Sequence, residues 1–421
     1  MSIKFKENLE KYAEVILKIG LNLQPNQRLL IGGGGISSDG VPFEAASLIR
    51  IITKKAYQMG ARLVDIIWAD EQIRLIRLQN SPKKLLREYP KWKIDALINI
   101  SKAGGANLQI LSHNPDLLKD VDRSSILKFQ LFLVKHFQPV LKFNSQNPPN
   151  WSAISVPNKG WADKLFPDIP SNERVPKLWD IIFEICRITE DHPISAWQTH
   201  IENLQKRCSY LNQKQYKELK LTSPETNLTI GLLKDHIWRG GTVKSYKGIE
   251  FTPNLPTEEI FTSPDKDKVE GFVKITKKLI IEGQDIEEAV LQFSEGRVIE
   301  VNAKIGEDTL NIIINIDEGA RRLGEIALVP HSSPVSKLDM LFYNLLIDEN
   351  ASNHIALGTA LRDTLKNGNK MTDEEFISAG GNHSTIHIDM MIGSEKMNVD
   401  GITNDNKVEP VMRNGEWAFK I

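Results

Sequence analysis

Arg28–Trp68, RLLIGGGGISSDGVPFEAASLIRIITKKAYQMGARLVDIIW, is the stretch that indicates the fold of the first half of the chain. Arg28–Ile31 has the apolar run of a buried strand, and Phe43–Met59 has the apolar spacing of a helix that ends at Gly60. A second strand is predicted at Leu63–Trp68. Strand, turn, helix and strand in this order is typical of a parallel α/β sheet, in which ligands bind at the ends of the strands.

The four consecutive glycines Gly32–Gly35 resemble a loop that could cradle a phosphate group. They lack the Lys-Ser/Thr ending of a P-loop and fit the dinucleotide fingerprint only loosely. A connecting loop is the more common role for such a run. We therefore expect no nucleotide cofactor at these glycines.

Outward from this stretch, the apolar residues from Phe5 to Leu17 recur at steps of three and four, which predicts a first helix ending near Gly20. A buried strand is predicted at Ala96–Ile100, with Gly104-Gly105 as its exit. The Pro and Asn residues of Asn144–Pro157 predict a loop that crosses the face of the domain. For three tryptophans we expect packing against the sheet rather than stacking on a ligand: Trp151, Trp161 and Trp179.

The chain between Pro176 and Leu211 has helical spacing, and short runs of β-branched residues follow it. We predict an N-terminal parallel α/β domain at residues 1–195 and a β-rich α+β catalytic, metal-binding domain at residues 196–421. The fold class is therefore α/β. The predicted strands are Leu228–Leu232, Glu250–Pro253, Leu279–Ile281, Val290–Phe293 and Val298–Val301, and the predicted helices Glu307–Ile314 and Glu318–Leu323.

The charge balance of the 421 residues, 53 Lys and Arg against 54 Asp and Glu, gives a net charge of -1. A chain so balanced has no strong field for nucleic acid or for an anionic membrane. The two cysteines, Cys186 and Cys208, have no metal or redox spacing and suit a reducing compartment. With neither a signal-peptide pattern nor an apolar run that could span a membrane, we expect a cytoplasmic protein.

Candidate metal ligands begin with NHSTIHIDMMIG, Asn382–Gly393. In a strand, His387 and Asp389 project from the same face and could bind one metal ion, or Asp389 could simply orient a structural histidine. Glu325, within LGEIALV, would be costly to bury unless a metal ion or a salt bridge to Arg321 or Arg322 compensates it. Two further segments carry similar groups: PTEE, with Glu258 and Glu259, and DEN followed by His354.

Histidines and carboxylates of this mixture suit one or two ions such as Zn²⁺, Co²⁺ or Mn²⁺, with Mg²⁺ as a further option. Two metals about 3.5–4 Å apart would hold a bridging hydroxide and polarise a carbonyl group, as in many hydrolases. One carboxylate of the Glu258-Glu259 pair could then bind metal while the other transfers the proton.

Four ordered blocks resemble the M29-type thermophilic aminopeptidases, the aminopeptidase T-like family. The blocks are NLPTEEIFTSPD (254–265), DEGARRLGEIALVP (317–330), DENASNHIALG (348–358) and HIDMMIGSEKMNVDGI (387–402), with weaker similarity in LNLQPNQRLLI and KGWADKLFP. The resemblance implies a cytoplasmic, homodimeric metallo-aminopeptidase that removes N-terminal residues from peptides at a dinuclear site. Carried onto this sequence, it places the metal ligands at Glu259, Glu325, His354, His387 and Asp389, and leaves Glu258 as the candidate general base.

Two positions depart from the family pattern. Leu361 stands where the family usually has a tyrosine, whose hydroxyl could stabilise the tetrahedral intermediate; losing one such donor can lower turnover by roughly 10²–10³. His383 replaces a more typical glutamate. It could supply a missing donor near the metals, but we hypothesise that it is a surface change. A His383→Ala enzyme that keeps its metal but loses most of its turnover would contradict this hypothesis.

Two other functions compete with the aminopeptidase. A mononuclear Fe²⁺ ring-cleaving dioxygenase is one, because related sequences with this scaffold resemble pyridinediol dioxygenases and two histidines with a carboxylate suit that metal. The other is a metal-binding homologue of weakened catalytic power, suggested by Leu361. The sequence leaves open the preferred N-terminal residue, the physiological metal, the oligomeric state, and which of Glu258 and Glu259 is ligand and which is base.

Overall fold

The computed structural model describes residues 2–32, 40–82, 84–88, 90–146, 148–281 and 284–421. The chain forms two compact units. The first comprises residues 1–199 and 242–256, and the second comprises residues 200–241 and 257–421. Residues 242–256 thus belong with the N-terminal part of the chain although they follow the predicted domain boundary.

Helices and strands are interspersed in the first half of the chain, and strands predominate in the second half. The helices of the described residues are α1 (Ile3–Val15), α2 (Ala46–Gln58), α3 (Glu71–Asn80), α4 (Lys91–Lys102), α5 (Arg123–Gln146), α6 (Lys159–Leu165), α7 (Ser171–Ile185), α8 (Pro193–Lys214), α9 (Glu307–Ile313), α10 (Leu345–Asp348) and α11 (Asp373–Ser378). The strands are β1 (Arg28–Ile31), β2 (Val41–Pro42), β3 (Leu63–Ile66), β4 (Trp68–Ala69), β5 (Ala106–Leu111), β6 (Trp151–Ser155), β7 (Glu218–Ser223), β8 (Thr226–Leu232), β9 (Val243–Lys244), β10 (Glu250–Phe251), β11 (Asn254–Leu255), β12 (Ile260–Thr262), β13 (Pro264–Lys274), β14 (Leu279–Ile281), β15 (Gln284–Ile286), β16 (Val290–Ser294), β17 (Arg297–Asn302), β18 (Leu323–Leu328), β19 (His354–Gly358), β20 (His387–Met391), β21 (Asn398–Ile402), β22 (Val408–Arg413) and β23 (Glu416–Trp417).

The first unit is built on a parallel sheet with the strand order β3-β1-β5-β6-β11. Leu29, Leu30 and Ile31 of β1 are all buried, as the continuous apolar run of a strand covered on both faces requires. Helix α2 buries Leu48, Ile49, Ile52 and Ala56, which recur at helical spacing. These elements confirm the predicted α/β fold of this unit.

Two predictions in the first unit are wrong. Ala96–Ile100 lies inside α4, and the strand is β5, which comes after Gly104-Gly105 rather than before it. The short apolar run fits a helix or a strand, and the burial of Ile94, Leu97 and Ile100 at steps of three shows that the helix is formed. Asn144–Pro157 is not one loop, because β6 occupies residues 151–155 and pairs with β5.

The second unit contains two antiparallel sheets. One has eight strands in the order β17-β16-β13-β8-β7-β21-β22-β23, and the other has four in the order β12-β18-β19-β20. The predicted β-rich character is therefore confirmed. The predicted helix Glu318–Leu323 is wrong, since only a 3₁₀ turn, Gly319–Arg321, forms before β18 begins. The predicted strand Glu250–Pro253 shortens to β10 and lies in the first unit.

Three sequence expectations concern single features. Trp161 and Trp179 are buried, in agreement with a packing role, and Trp151 lies in β6, half-buried. Gly33–Gly35, on which the phosphate-cradle alternative depended, lie outside the described residues. Of the helices that the structure describes, none has the length and hydropathy that crossing a lipid bilayer demands.

Candidate metal centre

The register of the four-stranded sheet brings the predicted ligands onto one face. Glu325 of β18 lies opposite Ala356 of β19, and Ala356 lies opposite Asp389 of β20. Because side chains alternate along a strand, His354 shares the face of Ala356, and His387 shares the face of Asp389. Glu259 immediately precedes β12, which pairs with β18.

The opposite face of the same sheet is apolar and, apart from the half-buried Ile388, buried. Its side chains join the core of the second unit, and they are the residues that alternate with the ligands: Ile326, Leu328, Ile355, Leu357 and Met390. Burial of this apolar face fixes the register of the strands, because a slip of one residue would turn every polar side chain into the core. The hydrophobic pattern therefore positions the polar face.

A β-bulge adjusts the position of Glu325. The pairing of β18 with β19 shifts between Leu323 and Glu325, so that Gly324 is the extra residue. A Cβ atom on Gly324 would lie 2.4 Å from the carbonyl oxygens of Gly358 and Thr359. Only glycine allows the two strands to approach this closely next to the candidate ligand.

The candidate ligand atoms form two groups that share Glu325. One group contains Glu259, Glu325 and His354, the other Glu325, His387 and Asp389, and within each group the atoms lie within 4.8 Å of one another. His354 Nε2 is 3.1 Å from Glu259 Oε2 and 4.0 Å from Glu325 Oε1. His387 Nε2 is 3.2 Å from Glu325 Oε2 and 3.3 Å from Asp389 Oδ1.

Both imidazole rings are held by main-chain carbonyl groups. His354 Nδ1 lies 3.2 Å from the carbonyl oxygen of Ser352, and His387 Nδ1 lies 2.8 Å from that of Thr359. A carbonyl oxygen can only accept, so Nδ1 carries the hydrogen and Nε2 faces the carboxylates. This is the usual outer-sphere arrangement of histidines that bind metal through Nε2.

The carboxylates repel one another in a buried environment. Burial, together with the negative charges of Glu259 and Asp389, raises the pKa of Glu325. For Asp389 burial acts in the same direction, but the neighbouring His387 and His354 outweigh it and lower the pKa. A bound cation would relieve the repulsion among these groups.

The two histidines respond in the opposite sense. Burial disfavours the charged form of His354, but the adjacent Glu259 carboxylate and the charges of Asp389 and Glu325 raise its pKa to about 10. Burial likewise opposes protonation of His387, yet Asp389 and Glu325 raise its pKa well above the usual value. Both imidazoles therefore lie in a strongly negative environment, which also favours the binding of a divalent cation.

A further observation shows that the donor set fits a divalent metal ion. Glu259 Oε2 is buried, and although it lies close to His354 it has no hydrogen-bond partner among the described residues. Among the contacts of the described residues, neither Arg321 nor Arg322 forms a salt bridge with Glu325. Arg322 instead binds Asp267 at 2.7 Å, and Arg321 donates to Asn315.

Glu258, the candidate base, is buried but belongs to neither ligand group. Its main-chain N–H donates to Asn350 Oδ1 at 2.6 Å, and its Oε2 lies 3.6 Å from His200 Nε2. The structure therefore separates the two adjacent glutamates, with Glu259 beside the histidines.

Glu349 was not selected from the sequence, although the segment that contains it was. It is half-buried, and desolvation together with the charges of Glu259 and Asp389 raises its pKa well above the usual value. The charges that act on it are those of the two ligand groups, so Glu349 belongs to the same site. The sequence feature that could have identified Glu349 is its position five residues before His354, within DENASNH.

The two departures from the family pattern occupy different environments. Leu361 follows β19 and is half-buried; its N–H donates to Ser263 Oγ at 3.1 Å, and its carbonyl oxygen accepts from Thr364 Oγ1 at 2.6 Å. Its backbone is therefore held although its side chain offers no donor. His383 is exposed, as the surface hypothesis expects.

A buried, two-group cluster of carboxylates and imidazoles on a sheet is the kind of site that metal-dependent hydrolases use. The family profile described as Thermophilic metalloprotease (M29) matches residues 5–417. The chain is 42% identical over 418 residues to Aminopeptidase 2 of Geobacillus stearothermophilus, covering 99% of each chain. It belongs to the M29 metallo-aminopeptidase family, is a peptide hydrolase, and depends on a divalent metal ion.

Solved structures agree with this assignment. Wild-type AmpT from Thermus thermophilus matches with a TM-score of 0.91 and 36% sequence identity, covering 99% of this chain and 100% of that one. A 2,5-dihydroxypyridine dioxygenase from Pseudomonas putida matches with a TM-score of 0.51 and 9% identity over 100% of this chain and 99% of that one. The second similarity shows a shared fold alone.

Proposed function

We propose that this enzyme hydrolyses the N-terminal peptide bond of peptides at a dinuclear centre held by Glu259, Glu325, His354, His387 and Asp389, with Glu349 as an additional carboxylate. The observation that supports two ions is the position of Glu325, which has one oxygen toward each ligand group. Zn²⁺, Co²⁺ and Mn²⁺ suit this mixture of nitrogen and oxygen ligands, and Mg²⁺ is a further candidate.

A divalent cation bound at this site would lower the pKa of a water molecule and polarise the substrate carbonyl group. The protein's own contribution to proton transfer is Glu258, whose carboxylate accepts the proton of the attacking water and delivers it to the leaving amine. Its place in the chain next to Glu259, but outside both ligand groups, supports this role.

A mononuclear dioxygenase is less well supported. One group of three ligands would suffice for it, and the second group around the shared Glu325 would have no role. A homologue weakened by Leu361 would still bind metal and would differ only in turnover. A homodimer and a cytoplasmic location stay predictions from the family resemblance.

The test is to remove metal from the purified enzyme, reload it with Zn²⁺, Co²⁺, Mn²⁺ or Mg²⁺, and follow cleavage of an aminoacyl anilide and a dipeptide. An anomalous-scattering map of reloaded crystals counts the ions and identifies their ligands. We expect two ions per chain and restored cleavage. One iron with oxygen uptake, or no cleavage with any of the metals, contradicts the proposal.

The roles of the adjacent glutamates are tested by two variants. Glu259→Gln should lose bound metal together with activity. Glu258→Gln should keep its metal and lose turnover, because the amide cannot accept a proton. If Glu258→Gln loses the metal and Glu259→Gln keeps it, the two roles are reversed.

A further inference from the structure

His200 of α8 contacts the segment that carries the candidate base. Its side chain is 15% exposed, and Nε2 lies 2.7 Å from the carbonyl oxygen of Thr257. The same nitrogen lies 3.6 Å from Glu258 Oε2. All three residues belong to the second unit.

These two distances determine which atom carries the hydrogen. A carbonyl oxygen only accepts, so the short contact requires that Nε2–H donate to Thr257. The carboxylate at 3.6 Å lies beyond hydrogen-bond length. In this arrangement Nε2 cannot take a proton from Glu258. A proton relay through that nitrogen is therefore excluded, and the remaining role of His200 is to orient Glu258.

The peptide group between Thr257 and Glu258 is held at both ends. His200 donates to its carbonyl oxygen, and its N–H donates to Asn350 Oδ1 at 2.6 Å. Asn350 is itself fixed, because its Nδ2 donates to the carbonyl oxygen of Leu346 at 2.9 Å. With the peptide plane held on both sides, the position of the Glu258 Cα atom, from which the side chain leaves the backbone, is held as well.

We propose that His200 is a positioning residue for Glu258, acting through the Thr257 carbonyl group. The inference rests on the proposed role of Glu258 in proton transfer. Proton transfer requires the base within hydrogen-bond reach of the water, so a small rotation of the peptide plane would misplace it.

The experiment compares His200→Phe, which keeps a ring without a donor, with His200→Gln, which keeps an N–H donor. We expect His200→Phe to lower kcat by roughly 10-fold to 100-fold, as for other outer-sphere residues, with KM and metal content unchanged. His200→Gln should recover most of the loss. Glu202→Ala, an exposed change on the same helix, is the control and should behave as wild type. Full activity in His200→Phe, or loss of metal from it, overturns the proposal.

A double-mutant cycle separates this inference from the proposed function. If His200 acts through Glu258, adding His200→Phe to Glu258→Gln should cause no further loss of kcat. An equal loss in both backgrounds overturns the positioning role while leaving Glu258 as the base. A fully active Glu258→Gln enzyme contradicts the proposed function itself, and the role of His200 fails with it.

Discussion

Acidic side chains at the end of the parallel sheet of the first unit accept hydrogen bonds from the main chain, whereas the carboxylates beside the four-stranded sheet of the second unit face imidazole rings. Glu71 Oε2 accepts from the Asn114 N–H at 2.9 Å, and Asp70 Oδ1 from that of Gln72 at 2.9 Å. These residues line a cavity of about 420 Å³ next to the ends of β5 and β6. In the second unit, Glu259 Oε2 is buried without a hydrogen-bond partner among the described residues.

The difference shows what marks a metal site. The cavity lies where ligands of parallel sheets usually bind, yet the acidic groups Asp70 and Glu71 at its edge are engaged by the protein's own main chain. The four-stranded sheet instead concentrates buried carboxylates, and these raise the pKa of both neighbouring histidines. A concentration of buried carboxylates and imidazoles, rather than a cavity, identifies the candidate metal site.

Removal of metal should give the largest effect. Dialysis against a chelator should abolish turnover, and it should lower the melting temperature because a ligand that binds only the folded state stabilises it. Activity with an anilide substrate and calorimetry check this, and reloading with Zn²⁺ or Mn²⁺ should reverse both changes. If the enzyme stays fully active after complete metal removal, the carboxylates and histidines of the second unit are not a functional metal site, and they do not differ in this respect from the acidic groups of the first unit.

Replacement of Leu361 should show whether the candidate site of the second unit needs a hydrogen-bond donor at this position. Leu361→Tyr adds a hydroxyl group, and by analogy with oxyanion-stabilising donors kcat should rise, by up to roughly 10²–10³. Steady-state kinetics measure the gain, with Leu361→Phe as the matched control for added volume. Equal kcat in Leu361→Tyr and Leu361→Phe would show that this position is not the missing donor.

Substitution of Glu349 tests the excess negative charge directly. Glu349→Gln removes one half-buried carboxylate that is electrostatically coupled to the ligand groups, so metal affinity should fall by roughly 10-fold to 100-fold. The metal-free protein should become more stable by about 0.5–2 kcal/mol, because burial disfavours the ionised glutamate. Metal titration and chemical unfolding in chelator measure the two effects. A variant with weaker binding but no gain in stability would indicate that the charge is compensated in the metal-free state.

The smallest effect is expected from substitution of Glu71 in the first unit. Glu71→Gln keeps an oxygen that accepts from Asn114, so stability should change by less than about 0.5 kcal/mol and kcat and metal content should not change. The same assays apply as for Glu349→Gln, for which this variant is the matched control. Loss of metal from Glu71→Gln would show that the cavity of the first unit contributes to metal binding.

The period of two in the sequence predicted a common face for His387 and Asp389, and both lie on β20. His354 and Glu325 were assigned to the site only by the family resemblance, because no strand was predicted where β19 and β18 form. Glu349 was missed because it lies in a 3₁₀ turn, Glu349–Ala351, where no alternation places a side chain on a face. His200 was missed because its partner, the Thr257 carbonyl group, is a main-chain atom that no side-chain motif reveals.

In the fold, predictions failed where local patterns were ambiguous. Ala96–Ile100 is apolar throughout most of its length and fits either type of element, whereas β5 contains Asn107 and Gln109, which dilute the apolar pattern of a strand. The pairing of β5 with both β1 and β6 nonetheless makes it a central strand. Such pairing is set by contacts distant in the sequence, which a local pattern does not contain.

The shared position of Glu325 has a thermodynamic consequence. In an enzyme that holds an ion in each ligand group, the first ion withdraws electron density from a carboxylate that the second must also use, so the two affinities are coupled. Such coupling is reciprocal, since each ion changes the affinity of the other by the same factor. A metal titration should then show two unequal steps, and the enzyme could contain two different metals when their supply differs.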